Sequence, residues 1–135
     1  MQLSLVPDLH LPESHDEAVV KVTAALKEQG FGVLTTIDIR SAFQERLGKE
    51  FRPYTILGAC NPPLAHAALT SEPLMGLMLP CNVTVEAAAD GGSIVRFANP
   101  DAMLSLGGAA THPALSQVAA DATVRLTRVA QALSS

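Results

Sequence analysis

The feature that most constrains the fold is a run of alternating apolar residues from position 77 to 87, followed by a second run from 93 to 98. Alternation with a period of two places apolar side chains on one face of a β-strand. Asp90, Gly91 and Gly92 separate the runs, and glycine adopts the left-handed conformations that tight turns require. The pattern therefore predicts an antiparallel hairpin with one buried face.

Amphipathic helices are predicted near both ends of the chain. Ser14 and Glu17 form a capping box, and the helix that begins there should end at Gly30, which tolerates the left-handed conformation at a helix end. After Pro113, apolar residues recur at helical spacing, at positions 115, 118, 119, 122, 126, 129, 130 and 133. This spacing predicts a long C-terminal helix with one buried face.

Shorter elements are predicted between these helices. Asn61 suits a helix N-cap, and Pro62 suits the first helical position, where its missing N–H has no consequence. The other predictions are strands over 2–6, 31–39 and 54–59, a helix over 41–48 capped by Ser41, and a buried stripe of Leu64, Ala65, Ala68 and Leu69 on the helix after Asn61. Helices that flank a group of strands predict an α+β fold, an antiparallel-rich sheet with helices packed on one face.

The length and charge of the chain limit its organisation and partners. A chain of 135 residues corresponds to one domain, over residues 1–135. Its net charge is −4, and an acidic protein is poorly suited to neutralising phosphates, so we expect no nucleic acid partner. No basic residue precedes Lys21, and no apolar run approaches the roughly 20 residues of a spanning helix. We therefore expect a cytoplasmic protein with no membrane partner and with reduced cysteines.

The two cysteines are the main candidates for chemistry. Cys60 directly precedes the predicted N-cap Asn61, so its sulfur should lie near the unpaired amides of a helix N-terminus, a position that lowers a thiol pKa. The alternative is that Cys60 is a small buried residue that ends a strand. Cys81 shares one strand face with Leu79 and Val83, and this position favours an inert core thiol. Whether the two thiols are neighbours depends on the strand order, which the sequence leaves open.

Known metal and catalytic motifs are missing from the sequence. The four histidines lack the spacing of a zinc site, and no nucleophile elbow or phosphate-binding loop is present. A soft-metal or haem site from Cys60, Cys81, His66 and Met103 is an alternative that rests on ligand type alone. We expect neither a metal nor an organic cofactor.

The segment from Asn99 to Met103 leaves the predicted hairpin and is a further candidate. It would place Asp101 and Met103 over a sheet edge, where both could border a site. A plain turn with a packed methionine is the alternative interpretation.

Two segments, 51–65 and 76–83, resemble the bacterial family catalogued as domain of unknown function 302. The resemblance extends over about residues 14 to 131 and includes the segments 30–33, 47–48 and 99–103. It implies a β-α-β(4)-α arrangement similar to the TATA-binding-protein fold, assembled as a homodimer. It implies no reaction, because fold alone does not determine function. The matching segments contain five candidate site residues, which are Cys60, Asn61, Pro62, Pro80 and Cys81.

The leading functional hypothesis is a homodimeric module that binds a small ligand or a protein partner near Cys60 and Cys81, without catalysis. The alternative is a thiol-based redox or sulfur-handling protein, in which Cys60 is the nucleophile and Cys81 assists. A soft-metal module and a purely structural dimer with inert thiols are further hypotheses.

Overall fold

The computed structural model of the protein describes residues 2–109 and 111–134. Met1, Ala110 and Ser135, which the predicted domain includes, lie outside the described residues. The strands are β1 (Leu9–Leu11), β2 (Gly32–Asp38), β3 (Tyr54–Cys60), β4 (Cys81–Ala87) and β5 (Ser93–Phe97). The α-helices are α1 (His15–Glu28), α2 (Ile39–Leu47), α3 (Pro62–Ser71), α4 (Pro100–Leu106) and α5 (Pro113–Ser134), and a 3-10 helix spans Pro73–Leu77.

The five strands form one antiparallel sheet in the order β1-β5-β4-β3-β2. Strand β1 and helix α1 come first along the chain, four strands follow, and α5 comes last. The predicted α+β class and the β-α-β(4)-α order are therefore confirmed, with shorter helices in the connections. No helix in the described part of the chain is long and apolar enough to cross a membrane.

The predicted hairpin is present, but its first strand is shorter than expected. Strands β4 and β5 pair with Val85 opposite Val95, and Gly91 in the turn has a φ of 89°. Strand β4 begins at Cys81 instead of Leu77, because Leu77 ends a 3-10 helix over Pro73–Leu77 and residues 78–80 form neither helix nor strand. The first residue of this 3-10 helix is Pro73. The Glu72 carboxylate caps the helix by accepting a hydrogen bond of 3.0 Å from the Leu74 N–H.

The first edge strand lies further along the chain than the predicted 2–6. Leu9–Leu11 pairs with β5, whereas in the earlier segment Ser4 makes a single bridge to Ala98. The carboxylate of Asp8 accepts two hydrogen bonds of 3.0 Å from the Arg96 guanidinium on β5. This bidentate ion pair holds the chain against β5 directly before β1.

Helix α2 begins earlier than predicted. Asp38, rather than Ser41, is the N-cap, and its carboxylate accepts hydrogen bonds from the Ser41 N–H at 3.0 Å and the Ser41 hydroxyl at 2.9 Å. These hydrogen bonds lower the pKa of Asp38. The prediction that this helix ends at Gly48 is confirmed, because Gly48 has a φ of 62°.

The main core lies between the sheet and the two long helices. The buried faces of α1 and α5 pack against the same sheet face, which includes Leu57, Val83 and Val95. Every apolar position predicted for the buried face of the C-terminal helix is buried in α5. The predicted N-cap at Ser14 is confirmed, since the Ser14 hydroxyl accepts the Glu17 N–H at 3.5 Å, but the described residues show no reciprocal hydrogen bond from the Ser14 N–H to the Glu17 side chain.

A second core lies beyond the ends of β3 and β4, among α3, the 3-10 helix, α4 and the first turns of α5. Met75 is fully buried within it, and Leu104 and Leu115 pack beside it. Helix α4 was not predicted, although its start carries a clear signal. Asn99 caps it by accepting the Asp101 N–H at 3.1 Å, and Pro100 is its first residue.

Candidate functional site

A pocket of about 300 Å³ opens between the two cores. It lies at the end of β3 and the start of β4, and α3 and the first half of α5 form its walls. Among the described residues that line it, none has a charged side chain, and polar side-chain groups come from Cys60, Asn61 and Cys81 alone. The site is therefore apolar, with a few polar groups at one end.

Four of the seven predicted site residues line this pocket. They are Cys60, Asn61, Pro80 and Cys81. The antiparallel register of β3 and β4 brings them together, because Ala59 lies directly opposite Cys81. The strand order therefore answers the question that the sequence left open, and both thiols border one pocket.

The other three predicted residues do not line the pocket. Pro62 begins α3 and is exposed. Asp101 is exposed in the first turn of α4, and Met103 is buried in that helix. Leu104, the next residue, lines the pocket instead. The prediction that Asn99 to Met103 leaves a strand is correct, but its two candidate residues lie outside the pocket.

The N-terminus of α3 offers no free amide to the Cys60 thiol. Pro62 and Pro63 have no N–H. The Leu64 N–H donates to Asn61 Oδ1 at 3.2 Å, and the Ala65 N–H donates to the Asn61 carbonyl oxygen at 2.9 Å. The sequence correctly predicted that Asn61 is the N-cap, but this cap and the two prolines remove the amides that would stabilise a thiolate.

Of the two interpretations of Cys60, the structure therefore does not support the lowered pKa. Burial raises the pKa of the Cys60 thiol above its ordinary value. Burial also raises the pKa of Cys81, to about 11, and the nearby Cys60 thiolate contributes to this shift. Both thiols are protonated at neutral pH, which agrees with the interpretation of Cys81 as an inert thiol and of Cys60 as the end of a strand.

The residues of the hypothetical soft-metal site are not brought together. His66 is exposed on α3, and neither His66 nor Met103 lines the pocket beside Cys60 and Cys81. The described residues contain no group of three or more His, Cys, Asp or Glu side chains arranged to hold a metal ion.

Small side chains on facing helices create the pocket. All four residues of the predicted apolar stripe of α3 line the pocket. Val118 and Ala122 of α5 line the facing wall. The stripe consists of Leu64, Ala65, Ala68 and Leu69. Alanine side chains leave space that larger side chains would fill. The sequence predicted all four as buried, which is wrong for Leu69, because Leu69 is 41% exposed. Nothing in the sequence pattern indicated that this apolar face borders a cavity.

Leu34 is a site residue that the sequence analysis missed. It lines the pocket from the edge strand β2, and its side chain is 68% exposed. The strand register shifts between Val33 and Thr35, so Leu34 is the extra residue of a β-bulge. A bulge re-aims a side chain relative to its neighbours, and strict alternation along the strand did not predict this.

A hydroxyl, an imidazole and a carboxylate meet outside the pocket. His15 Nε2 lies 2.9 Å from Thr55 Oγ1, and His15 Nδ1 lies 2.9 Å from Asp16 Oδ1. This order of groups matches a nucleophile, a base and an orienting acid. Thr55 is only 5% exposed, so little of the residue is open to a substrate. The contacts therefore hold the start of α1 against β3.

Comparisons with known proteins agree with this architecture. The family described as domain of unknown function DUF302 matches residues 8–133. The crystal structure of an uncharacterized conserved protein DUF302 from Bacillus stearothermophilus superposes with a TM-score of 0.77 at 30% sequence identity. The similarity covers 92% of this chain and 94% of that chain. No curated protein matches the sequence.

Proposed function

The chain belongs to the DUF302 family, and we propose that it is a binding module that holds a small apolar ligand in the pocket bordered by Cys60 and Cys81. The observation that carries this proposal is the pocket itself. Its volume of about 300 Å³ lies at the lower end of the range for small-molecule sites, about 300 to 1,000 Å³.

The pocket is open to solvent and large enough to admit a small molecule. Protein interiors contain few voids larger than a water molecule, and an engineered apolar cavity of about 150 Å³ already binds benzene. Removing apolar pocket walls from water contributes about 25 cal/mol for each Å² covered. A ligand with an apolar body would therefore be held by the walls from α3, α5 and the ends of β3 and β4.

The alternative of a thiol nucleophile has less support. A nucleophilic cysteine needs a lowered pKa, a neighbouring base or a helix N-terminus with free amides. Burial raises the pKa of both thiols, and the amides at the start of α3 are absent or already bonded. No histidine is among the described residues that line the pocket.

The proposal is tested by titrating isotopically labelled protein with ethylbenzene and following the amide resonances by NMR. We expect saturable shifts at residues that line the pocket. Ala65→Phe should abolish them, because the larger side chain fills the pocket from α3. Ala24→Phe is the matched control, since Ala24 is exposed on α1 away from the pocket. Unchanged resonances at the lining residues up to the solubility limit would refute ligand binding at this site.

We also propose that the module is a homodimer joined by antiparallel pairing of β2 with the β2 of a second copy. Strand β2 forms one edge of the sheet, and six of its seven residues are exposed. It has no lysine or proline, the residues that commonly protect edge strands, and Leu34 and Ile37 are exposed on it. Antiparallel pairing of identical strands satisfies two-fold symmetry, so a second copy is a suitable partner.

The oligomeric state is tested by size-exclusion chromatography with light scattering. We expect twice the chain mass of 14.1 kDa for the unmodified protein and a single chain mass for Ile37→Lys. Val20→Lys is the matched control, because Val20 is 70% exposed on α1 and does not belong to the β2 edge. A monomeric unmodified protein would contradict the dimer, and a dimeric Ile37→Lys protein would contradict pairing through this edge.

A further inference from the structure

The strongest polar group that the pocket side chains offer is a hydrogen-bond donor. Asn61 is only 7% exposed, and its Oδ1 accepts the Leu64 N–H. Its Nδ2 amide lies beside Gly30, 3.0 Å from the position that a Gly30 β-carbon would take, and has no hydrogen-bond acceptor among the described residues. The thiols of Cys60 and Cys81 are protonated and donate weakly. A ligand that forms a hydrogen bond at this end of the pocket must therefore contain a hydrogen-bond acceptor.

An anionic ligand would be poorly held. The described lining residues include no lysine, arginine or histidine, and the start of α3 has no free amide for a carboxylate or phosphate. Arg125 Nη1 lies near Gly30 and Asn61 without lining the pocket, and its guanidinium already binds Asp121 and the Gln29 carbonyl oxygen. Transfer of an ionised group into such a pocket is strongly unfavourable without a partner.

A cationic ligand would also lack a partner. The described lining residues include no aspartate or glutamate, and Phe31 is the aromatic side chain among them. Cation binding in apolar sites usually relies on a carboxylate or a cage of several aromatic rings. The pocket chemistry therefore favours a molecule with no net charge.

From these observations we infer that the ligand is a neutral molecule with an apolar body and a carbonyl or ether oxygen that accepts a hydrogen bond from Asn61 Nδ2. This inference rests on the proposed function, and it names the chemical class that the pocket selects. The apolar walls hold the body of the ligand, and Asn61 fixes its orientation.

The test compares three probes of similar size, acetophenone, ethylbenzene and benzoate, by NMR titration of the unmodified protein and of Asn61→Asp. Aspartate caps a helix as well as asparagine does, but an oxygen replaces the Nδ2 donor. Asn61→Ser is a second, uncharged variant that keeps a capping side chain. Asn82→Asp is the matched control, because Asn82 is exposed on β4 and does not line the pocket.

In the unmodified protein we expect benzoate to bind at least tenfold more weakly than acetophenone. Asn61→Asp should weaken acetophenone binding at least tenfold, whereas ethylbenzene affinity should change by less than about threefold. Asn82→Asp should leave all three affinities unchanged. If benzoate binds as tightly as acetophenone, or if Asn61→Asp weakens both neutral probes equally, the inference is wrong although the pocket still binds ligands. If none of the probes binds, the proposed function itself is wrong.

Discussion

Asn61 Oδ1 accepts the Leu64 N–H at 3.2 Å, and this hydrogen bond determines the environment of the neighbouring thiol. The first two residues of α3 are prolines without an N–H, so the Leu64 amide is the first one available at this helix end. Because the cap uses that amide, Cys60 has no donor from the helix to stabilise a thiolate. The same bond directs the Asn61 side chain so that Nδ2 is left without a protein acceptor.

The first prediction concerns alkylation of the thiols. Because burial raises the pKa of both, iodoacetamide should label the folded protein slowly at neutral pH, and Cys81 should react more slowly than Cys60. The rate at Cys81 should still rise above pH 10, in line with a pKa of about 11. Peptide mass spectrometry over pH 6 to 11 measures the two sites separately. Rapid labelling of Cys60 near pH 7 would favour the thiol nucleophile over the binding module.

The second prediction follows from the pKa of Cys81, which the fold raises from the ordinary 9.0 to about 11. Below pH 9 the thiol is protonated in both the folded and the unfolded chain. Between pH 9 and 11 the unfolded chain releases this proton and the folded chain retains it, so stability falls by up to about 1.4 kcal/mol per pH unit.

Urea unfolding of the unmodified protein and of Cys81→Ala from pH 8 to 11, under reducing conditions, measures this effect. The free energy of unfolding of the unmodified protein should fall more steeply with pH than that of the variant. If the free energies of unfolding of the two proteins change in parallel with pH, the Cys81 thiol has the same pKa in the folded and the unfolded chain.

Sequence patterns predicted the fold where a local signal and the tertiary packing agree. The apolar spacing of α5 and the cap at Asn61 are such cases, since each depends on residues within a few positions. The predicted start of β4 was wrong because the alternation continued through 77–80, whereas Glu72 and Pro73 begin a 3-10 helix that ends at Leu77 and residues 78–80 form no strand. The predicted N-cap of α2 was wrong because Asp38 and Ser41 both have side chains that can cap a helix. Which of them is the N-cap depends on where β2 ends.

The candidate site could be predicted only in part. Cys60 and Cys81 were identified from their positions in the sequence, and the family resemblance includes both, but their proximity depends on the pairing of β3 with β4. The cavity depends on the separation of α3 and α5, and an alanine such as Ala65 has the same sequence signature beside a cavity as in a close-packed core. The raised thiol pKa also required the structure, since a helix N-terminus normally has the opposite effect.

The third prediction concerns Gly58 on β3, beneath the site. A β-carbon at Gly58 would overlap Thr35 Oγ1 and would lie 2.8 Å from Pro80 Cγ. Gly58→Ala should therefore lower the free energy of unfolding by about 1 to 3 kcal/mol. Gly32→Ala is the matched control on the adjacent strand, because no atom lies within 4 Å of its β-carbon position. It should be neutral or slightly stabilising.

Urea unfolding of both variants tests this difference. Adding Thr35→Ala to Gly58→Ala should recover part of the loss, because it removes the overlapping hydroxyl. Equal stabilities of the Gly58 and Gly32 variants would mean that the strand and Pro80 move apart at little cost.

The last prediction concerns Glu86 on β4, which is only 5% exposed and lies between two arginines. Its Oε2 accepts a hydrogen bond of 2.6 Å from Arg52 Nε, and its Oε1 pairs with Arg96. Burial opposes ionisation of this carboxyl, but the hydrogen bonds from Arg96 and Arg52 outweigh that effect and lower the pKa of Glu86 below its ordinary 4.5. The stabilisation that ionised Glu86 gives the folded state is therefore present above pH 4.5. It is lost as the pH falls through the lower pKa that Glu86 has in the folded chain.

Glu86→Gln should reduce the free energy of unfolding at pH 7 by about 1 to 2 kcal/mol, because both ion pairs are lost and the Gln side chain has one acceptor oxygen for two guanidinium donors. The loss is limited because the arginines are partly exposed. The deficit should remain constant from pH 7 to 5 and shrink at lower pH, where the carboxyl of the unmodified protein becomes protonated. Urea unfolding at pH 7, 5 and 3 measures it, with Glu45→Gln on the exposed side of α2 as the matched control. A deficit that persists undiminished at pH 3 would assign the effect of the substitution to packing rather than to the charge of Glu86.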